Sequence, residues 1–165
     1  MEGKKSKPRA LLVFGAPCSG KTTFSEKFAA KFDLAFYDLN EVKKTTGFSD
    51  EQIREALELV ARTKKTLIVE GGLDTEKDRR LIRNVFTKAG YDNTLIWIQT
   101  DVSTIRTRMK FRYKSVSKAK DAYDTLVNAM EAPTEREKPV ILSGKHTFET
   151  QTKHVLAGLA DVNKR

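Results

Sequence analysis

The sequence contains a single cysteine and no long hydrophobic run. With only Cys18 among its 165 residues, the chain cannot form an internal disulfide, which fits the reducing cytoplasm. The longest apolar runs, such as Leu11–Phe14 and Leu95–Ile98, are strand-length, whereas a membrane-spanning helix needs roughly 20 apolar residues. No apolar signal core follows the basic first ten residues. These absences predict a cytoplasmic protein without a membrane span or a secretory leader.

Internal repeats, low-complexity tracts and flexible linkers are also absent from the sequence. Apolar residues make up 39% of the chain and charged residues 32%, a balance that is typical of folded globular proteins. The length suits one domain and is short for two. We therefore predict a basic, flexible tail over residues 1–9 and a single domain over residues 10–165.

Basic residues outnumber acidic ones. The chain has 31 Lys and Arg against 22 Asp and Glu, a formal net charge of +9. Such a surplus favours anionic partners, either nucleotide phosphates or nucleic acid. A solvated basic surface that serves only solubility gives the same composition. Charge alone does not decide between these interpretations. The lack of aromatic residues interleaved in a basic stripe disfavours nucleic acid.

Short apolar runs alternate along the chain with segments of helical spacing. Five runs without period-2 alternation read as buried strands: Leu11–Phe14, Ala35–Tyr37, Leu67–Val69, Leu95–Ile98 and Val140–Leu142. Between them, Ile53, Leu57 and Val60 follow helical spacing, and Ser49 with Gln52 forms a capping box. Further helical patterns cover residues 81–89, 119–130 and 155–160. The alternation predicts an α/β fold with a parallel sheet, whose ligands lie at the carboxyl ends of the strands.

The first strand runs into a glycine-rich loop that matches G-x-x-x-x-G-K-[ST]. The loop consists of Gly15, Ala16, Pro17, Cys18, Ser19, Gly20, Lys21 and Thr22, followed by Thr23. A helix with Phe24, Phe28 and Phe32 on one face follows it, as a phosphate-binding loop requires. Backbone N–H groups and the helix N-terminus would hold the phosphates of a nucleoside triphosphate. Lys21 would bridge the β- and γ-phosphates, and the Thr22 hydroxyl would hold Mg²⁺.

Acidic residues stand at the ends of the second and third strands. Asp38 follows the second strand and is placed to accept the proton of an attacking hydroxyl, or alternatively to cap the next helix. Glu70 closes the third strand before Gly71 and Gly72. A carboxylate there needs a cationic partner, and Mg²⁺ beside Thr22 is one. General base and solvated loop residue are the alternatives for Glu70.

A basic segment follows the fourth strand. Arg108 and Arg112 are one helical turn apart and share a face, whereas Arg106 points elsewhere. Arginines that close over a moving phosphoryl group stabilise its charge, and a mobile cover also excludes water. A solvated basic helix is the alternative. Residues 134–138, between two prolines, read as exposed loop.

These motifs resemble the P-loop kinases of the nucleoside, nucleotide and polynucleotide kinase type, including zeta-toxin-like phosphotransferases within the AAA-type ATP-binding proteins. The resemblance rests on Gly15–Thr22, Tyr37-Asp38-Leu39, Val69-Glu70-Gly71, and Arg108 with Arg112. It implies a five-stranded parallel sheet in the order 2-3-1-4-5, ATP as donor and Asp38 near the acceptor hydroxyl. It also implies a helical lid, over about residues 108–138, that carries Arg108 and Arg112.

The acceptor is left open by two departures from that family. Many relatives have an arginine for a substrate phosphate three residues after the second-strand aspartate, where this chain has Glu41. Glu70 replaces the aspartate that often ends the third strand and is more like the nucleoside kinases. The leading hypothesis is an ATP-dependent kinase that acts on a hydroxyl of a small molecule such as a nucleoside or nucleotide. A polynucleotide 5′-hydroxyl kinase and an ATP-dependent regulatory switch without an acceptor are the alternatives, so nucleic acid is a less favoured partner.

Overall fold

A computed structural model describes residues 6–162 of the chain, and its sheet is made of five parallel strands. The strands are β1 (Arg9–Phe14), β2 (Ala35–Asp38), β3 (Leu67–Glu70), β4 (Asp92–Gln99) and β5 (Val140–Ser143). Their order across the sheet is β2-β3-β1-β4-β5, as the family resemblance implied. Each neighbouring pair is parallel, so all five carboxyl ends lie along one edge.

Seven helices connect the strands within the described residues. They are α1 (Lys21–Phe32), α2 (Leu39–Thr46), α3 (Asp50–Ala61), α4 (Glu76–Lys88), α5 (Val102–Tyr113), α6 (Val116–Asn128) and α7 (Phe148–Val162). The predicted capping box of Ser49 and Gln52 opens α3, and a second one, of Thr75 and Asp78, opens α4. No helix of this part of the chain combines the length and the apolar character that a bilayer crossing requires.

The helices form two layers, one on each face of the sheet. On one face, Leu12, Val69 and Leu95 pack against α3 and α4 through residues such as Leu57 and Phe86. On the other face, a second core is formed with α1 and α7 by the residues Leu11, Val13, Ile68, Ile96, Phe24, Phe28 and Val155. Burial on both faces explains the continuous apolar runs of β1 and β3. The edge strands β2 and β5 are only partly buried, so the prediction of five buried strands is wrong for these two.

A pair of helices, α5 and α6, leaves the sheet beyond the carboxyl end of β4. Ile105 and Met109 of α5 pack on Ala119 and Tyr123 of α6, and this small core also contacts Cys18 of the glycine-rich loop. The packing holds the helical pair over the carboxyl edge of the sheet. Lid movement by this pair stays a prediction.

The structure also differs from the sequence prediction in the tail, at α2 and before β5. Arg9 begins β1, and its backbone N–H donates to Thr66 Oγ1 at 3.1 Å, so it is not part of a tail; residues 1–5 of that predicted tail lie outside the described residues. The sequence pattern does not predict the extent of helix α2; it indicates only that Asp38 could cap a helix at this place. The stretch 134–138 is mostly exposed, but the Glu137 side chain is buried because Arg79 binds it.

Candidate active site at the carboxyl edge of the sheet

The glycine-rich loop joins β1 to α1 and has backbone angles that its glycines permit. Gly15 has a φ of 152° and Gly20, the N-cap of α1, a φ of 104°. A Cβ on Gly15 would collide with the carbonyl oxygen of Ile98 in β4. Gly15 is therefore required by close backbone approach as well as by its φ. Cys18 adopts a left-handed conformation, with a φ of 58°, inside the same loop.

Lys21 lies across this loop and faces the acidic strand ends. Its Nζ donates a hydrogen bond to the carbonyl oxygen of Ala16 at 2.9 Å. Burial lowers the pKa of Lys21, and the nearby carboxylates of Glu70, Asp74 and Asp38 oppose this effect in that order. The Lys21 ammonium group is therefore partly desolvated, and the carboxylates at the strand ends lie close enough to stabilise its positive charge.

Glu70, at the end of β3, is buried and accepts two hydrogen bonds from α1. Only 4% of the residue is exposed. Its Oε1 accepts from Thr22 Oγ1 at 2.6 Å, and its Oε2 accepts from Ser25 Oγ at 3.0 Å. Burial raises the pKa of Glu70, and the hydroxyl bonds and Lys21 offset this only in part. The solvated-loop interpretation of Glu70 is therefore wrong.

The residues around Glu70 fit a magnesium ion bound together with a nucleotide. Among the described residues, no group of three or more His, Cys, Asp or Glu side chains forms a metal site made by the protein alone. Mg²⁺ needs no such site, because it usually takes one or two protein oxygens and completes its shell with phosphates and water. The Thr22 hydroxyl and the Glu70 carboxylate lie together beside the loop and would supply such oxygens.

Asp38 ends β2 and caps α2, which is the second role that its position predicted. Its Oδ1 accepts from the backbone N–H groups of Asn40, at 3.0 Å, and Glu41, at 3.2 Å. Both bonds use the same oxygen, and Oδ2 has no hydrogen-bond partner among residues 6–162. Because capping uses one oxygen of the carboxylate, the other remains available for a ligand.

Arg108 and Arg112 of α5 line the same cavity, as their shared helix face predicted. Arg108 donates to the carbonyl oxygens of Cys18, at 3.0 Å, and Gly144, at 3.3 Å. It therefore ties α5 to the glycine-rich loop and to the end of β5. Arg106 points elsewhere, with its guanidinium 5.3 Å from the centre of the Tyr123 ring.

All these groups meet in one open cavity of about 770 Å³ along the carboxyl edge. One end is formed by the glycine-rich loop together with residues from α5 and from the start of α7, including Phe148 and Gln151. The other end lies beside β2 and β3, where Asp38, Asn40 and Asp74 line it. The cavity brings every sequence-predicted catalytic and metal-binding side chain together.

Sequence reasoning missed several polar residues of this site, among them Asp74 and Ser25. Asp74 lies two residues after Gly72, and partial burial of its carboxyl group raises its pKa, an effect that the nearby charge of Lys21 offsets only in part. Ser25 is fully buried and holds Glu70. A signal for Ser25 was present, because it lies three residues after Thr22 and therefore on the same face of α1. Asp74 carries no comparable signal in the sequence.

The same architecture recurs in solved structures of low sequence identity. A gluconokinase from Sinorhizobium meliloti 1021 superposes with a TM-score of 0.68 at 18% identity, covering 96% of this chain and 95% of that one. The APS kinase CysC of Mycobacterium tuberculosis, solved with AMPPNP and APS, gives a TM-score of 0.67 at 16% identity over 93% and 98% of the two chains. At such identities, the likeness establishes the fold.

A third similar structure is Kti12 of Chaetomium thermophilum in complex with ADP-AlF3. It has a TM-score of 0.68 and 18% identity, and the match covers 92% of this chain and 97% of that one. No curated protein sequence matches the chain. The sequence model of the AAA domain family matches residues 11–137, more than half of the chain. The protein is therefore a member of this AAA domain family of P-loop proteins, and its fold is that of the P-loop kinases.

Proposed function

We propose that this protein is an ATP-dependent kinase that transfers the γ-phosphate of ATP to a hydroxyl group of a small molecule. The observation that carries the proposal is the meeting of Asp38 with Lys21 in one cavity, at the end of β2 and beside the phosphate-binding loop. A protein that only hydrolyses ATP needs no second carboxylate at an open acceptor end. The gluconokinase and APS kinase names of similar structures support the same reaction class.

The donor end of the cavity has the groups that an ATP triphosphate requires. Backbone N–H groups of the Gly15–Thr23 segment and the start of α1 would bind phosphate oxygens. Thr22 and Glu70 would hold Mg²⁺, which lowers the negative charge of the β- and γ-phosphates when it is bound. Lys21 leaves the Ala16 carbonyl oxygen to bind the γ-phosphate, because a phosphate is the stronger acceptor.

The acceptor end supplies the group that receives a proton. The acceptor hydroxyl oxygen forms a bond to the γ-phosphorus, the bond between that phosphorus and the β–γ bridging oxygen breaks, and ADP leaves. The hydroxyl proton passes to Oδ2 of Asp38, while Oδ1 keeps its two bonds to the start of α2. Arg108 and Arg112 stabilise the charge that spreads over the transferred group.

Charges at the acceptor end support an acceptor that has no phosphate of its own. Glu41, in the place of the family's phosphate-binding arginine, forms an ion pair with Lys44 at 3.7 Å. Asp38 and Asp74 line the cavity beside this pair. A phosphorylated acceptor would meet these carboxylates with little opposing charge. Among small molecules, the site therefore favours neutral acceptors such as nucleosides over nucleotides.

The first test is the initial rate of ATP consumption with Mg²⁺ across neutral, cationic and anionic hydroxyl compounds, for the parent and for Asp38→Asn. Asparagine caps helices as well as aspartate does, so this variant loses the base and keeps α2. We expect acceptor-stimulated turnover to fall by about 10²–10⁴-fold, as is typical for loss of a general base. Asp33→Asn, at the exposed end of α1, is the matched control and should be unchanged.

Two results would contradict the proposal. Equal stimulation of the parent and Asp38→Asn by an acceptor would remove Asp38 from the chemistry. ATP hydrolysis that no acceptor stimulates, together with ATP binding that Lys21→Ala abolishes, would favour a regulatory ATPase.

A further inference from the structure

The positive charge of the protein is concentrated in one segment of the helical pair. Residues 106–120 contain seven of the 31 Lys and Arg residues and no Asp or Glu. The other 150 residues carry 24 basic and 22 acidic groups, a net charge of only +2. A basic surplus that served solubility alone would not need to be gathered in one acid-free segment.

Part of this segment forms an exposed corner where α5 turns into α6. The corner consists of Lys110, Phe111, Tyr113, Lys114 and Lys118, all of them exposed. Phe111 is 81% exposed, more than any other large hydrophobic residue among those described, and Tyr113 is 36% exposed. Within the described part of the chain, Phe111 belongs to no hydrophobic core and its ring stacks on no other aromatic ring, so the fold does not account for an exposed phenylalanine here. Arg106, Arg108 and Arg112 are excluded from the corner because they contact Tyr123 or line the cavity.

Exposed aromatic rings lie between lysines at this corner, so the expectation that the chain lacks aromatic residues interleaved with basic ones is wrong. Such an arrangement suits one class of anionic partner. We infer that the corner binds single-stranded nucleic acid, with bases stacked on Phe111 and Tyr113 and phosphates beside Lys110, Lys114 and Lys118. Bases stack on aromatic side chains without sequence preference, and basic groups follow the backbone. The corner is separate from the acceptor end of the cavity, so the inference does not depend on the proposed kinase activity.

An anionic membrane surface is the competing partner for a basic and aromatic patch. A helix that lies on a membrane segregates its apolar and basic residues to opposite faces. In α5 the apolar face is taken up by Ile105 and Met109, which are buried against α6. Phe111 and Lys110, by contrast, are consecutive residues that are both exposed, so apolar and basic side chains are not separated onto opposite faces. This arrangement favours nucleic acid over a lipid surface.

The test is a binding titration of the purified full chain with labelled oligouridylate and oligothymidylate of about 12 nucleotides, within the usual site size of such proteins. Binding is measured at several salt concentrations. We expect Phe111→Ala to weaken binding about tenfold. We expect Lys110→Gln with Lys114→Gln to lower the salt slope by about 1.4, since each phosphate contact contributes about 0.7 for single strands.

Matched controls distinguish an effect of the corner from the effect of losing any exposed hydrophobic residue or any exposed lysine. Leu59→Ala removes another exposed hydrophobic residue, and Lys77→Gln another exposed lysine, both away from the corner. Both controls should bind as the parent does, and all variants should retain ATP binding. No binding at low salt, or equal binding by the parent, Phe111→Ala and the double lysine variant, would overturn the inference. Binding to vesicles of anionic phospholipid but not to the oligonucleotides would also overturn it.

Discussion

The Glu70 carboxylate is held between the hydroxyl groups of Thr22 and Ser25, with almost no access to water. Burial raises its pKa above the ordinary value of 4.5. The folded protein therefore holds the proton of Glu70 to a higher pH than the unfolded chain does. It follows that this residue makes folding less favourable as the pH rises from about 4.5 through the raised pKa.

Replacement of Glu70 by glutamine should separate its cost to folding from its role in binding. Without nucleotide, we expect Glu70→Gln at pH 7 to match or exceed the parent's free energy of unfolding, by on the order of 1 kcal/mol. The decline of stability with rising pH should be weaker in the variant. With Mg²⁺ and ATP present, the parent should gain more stability than the variant. Chemical denaturation at several pH values measures all three effects.

Glu58→Gln, on the exposed side of α3, is the control and should show none of these changes. A nucleotide-free Glu70→Gln protein that is clearly less stable than the parent at pH 7 would contradict this account. Such a result would mean that the two hydroxyl bonds outweigh the cost of the buried charge.

Whether a site residue could be predicted from the sequence depends on its position in the chain. Asp38 and Glu70 were found because strand ends in a parallel sheet share one edge. The two roles of Asp38, cap and ligand-facing carboxylate, were stated as alternatives. The structure shows the capping role, which uses only Oδ1 and therefore does not exclude the ligand-facing role. Only side-chain geometry, which spacing does not supply, resolves such a choice.

At the scale of elements, Arg79 links α4 to the chain segment that returns from α6 to β5. Its guanidinium is fully buried and binds both oxygens of Glu137, at 2.7 and 3.0 Å. It also donates to three carbonyl oxygens, those of Leu73, Asp74 and Glu131. Arg79 thus fixes the backbone around Asp74, at the acceptor end, to the end of the helical pair.

Breaking this link from one side should destabilise the protein strongly. We expect Glu137→Gln to lower the free energy of unfolding by about 3 kcal/mol, because it leaves the Arg79 charge buried without a carboxylate. Burial raises the pKa of Glu137, but the bonds from Arg79 and Thr134 outweigh it and hold the pKa below 4.5. The stabilisation should therefore be complete above pH 4.5 and be lost as the pH falls through the lowered pKa.

Urea denaturation of three variants measures this effect. Arg79→Met with Glu137→Leu removes both charges and should be less destabilised than Glu137→Gln. Lys43→Gln, which breaks the exposed ion pair with Asp50, should cost less than about 1 kcal/mol. A loss in Glu137→Gln no greater than that of Lys43→Gln would refute the structural role of the link.

This link between Arg79 and Glu137 could not be predicted from the sequence. Arg79 and Glu137 are 58 residues apart, and each stands in a segment rich in charges. The apolar pattern of α4 predicted a helix but did not reveal that one of its arginines is buried. The charged stretch before β5 read as exposed for the same reason. Pairing of distant charges depends on tertiary packing, which local spacing does not encode.

For the whole molecule, the apolar runs and the helical spacing of the sequence predicted the α/β class and the positions of all five strands. The strand order came from the family resemblance, and the structure has that order. The glycine-rich loop was identifiable because its motif follows a buried strand and precedes a helix. Acceptor identity is not predictable in this way, because it depends on the shape and charge of a cavity to which separate elements contribute.

The measurement that tests the central claim most directly is the mass of the acceptor after incubation with the protein, Mg²⁺ and ATP. If the protein is a kinase of small hydroxyl compounds, one compound gains a single phosphate, in a 1:1 ratio to the ADP formed, and no free phosphate accumulates. Lys21→Ala should abolish this product. ADP and free phosphate in equal amounts, with every tested compound unmodified, would contradict the account and identify an ATPase.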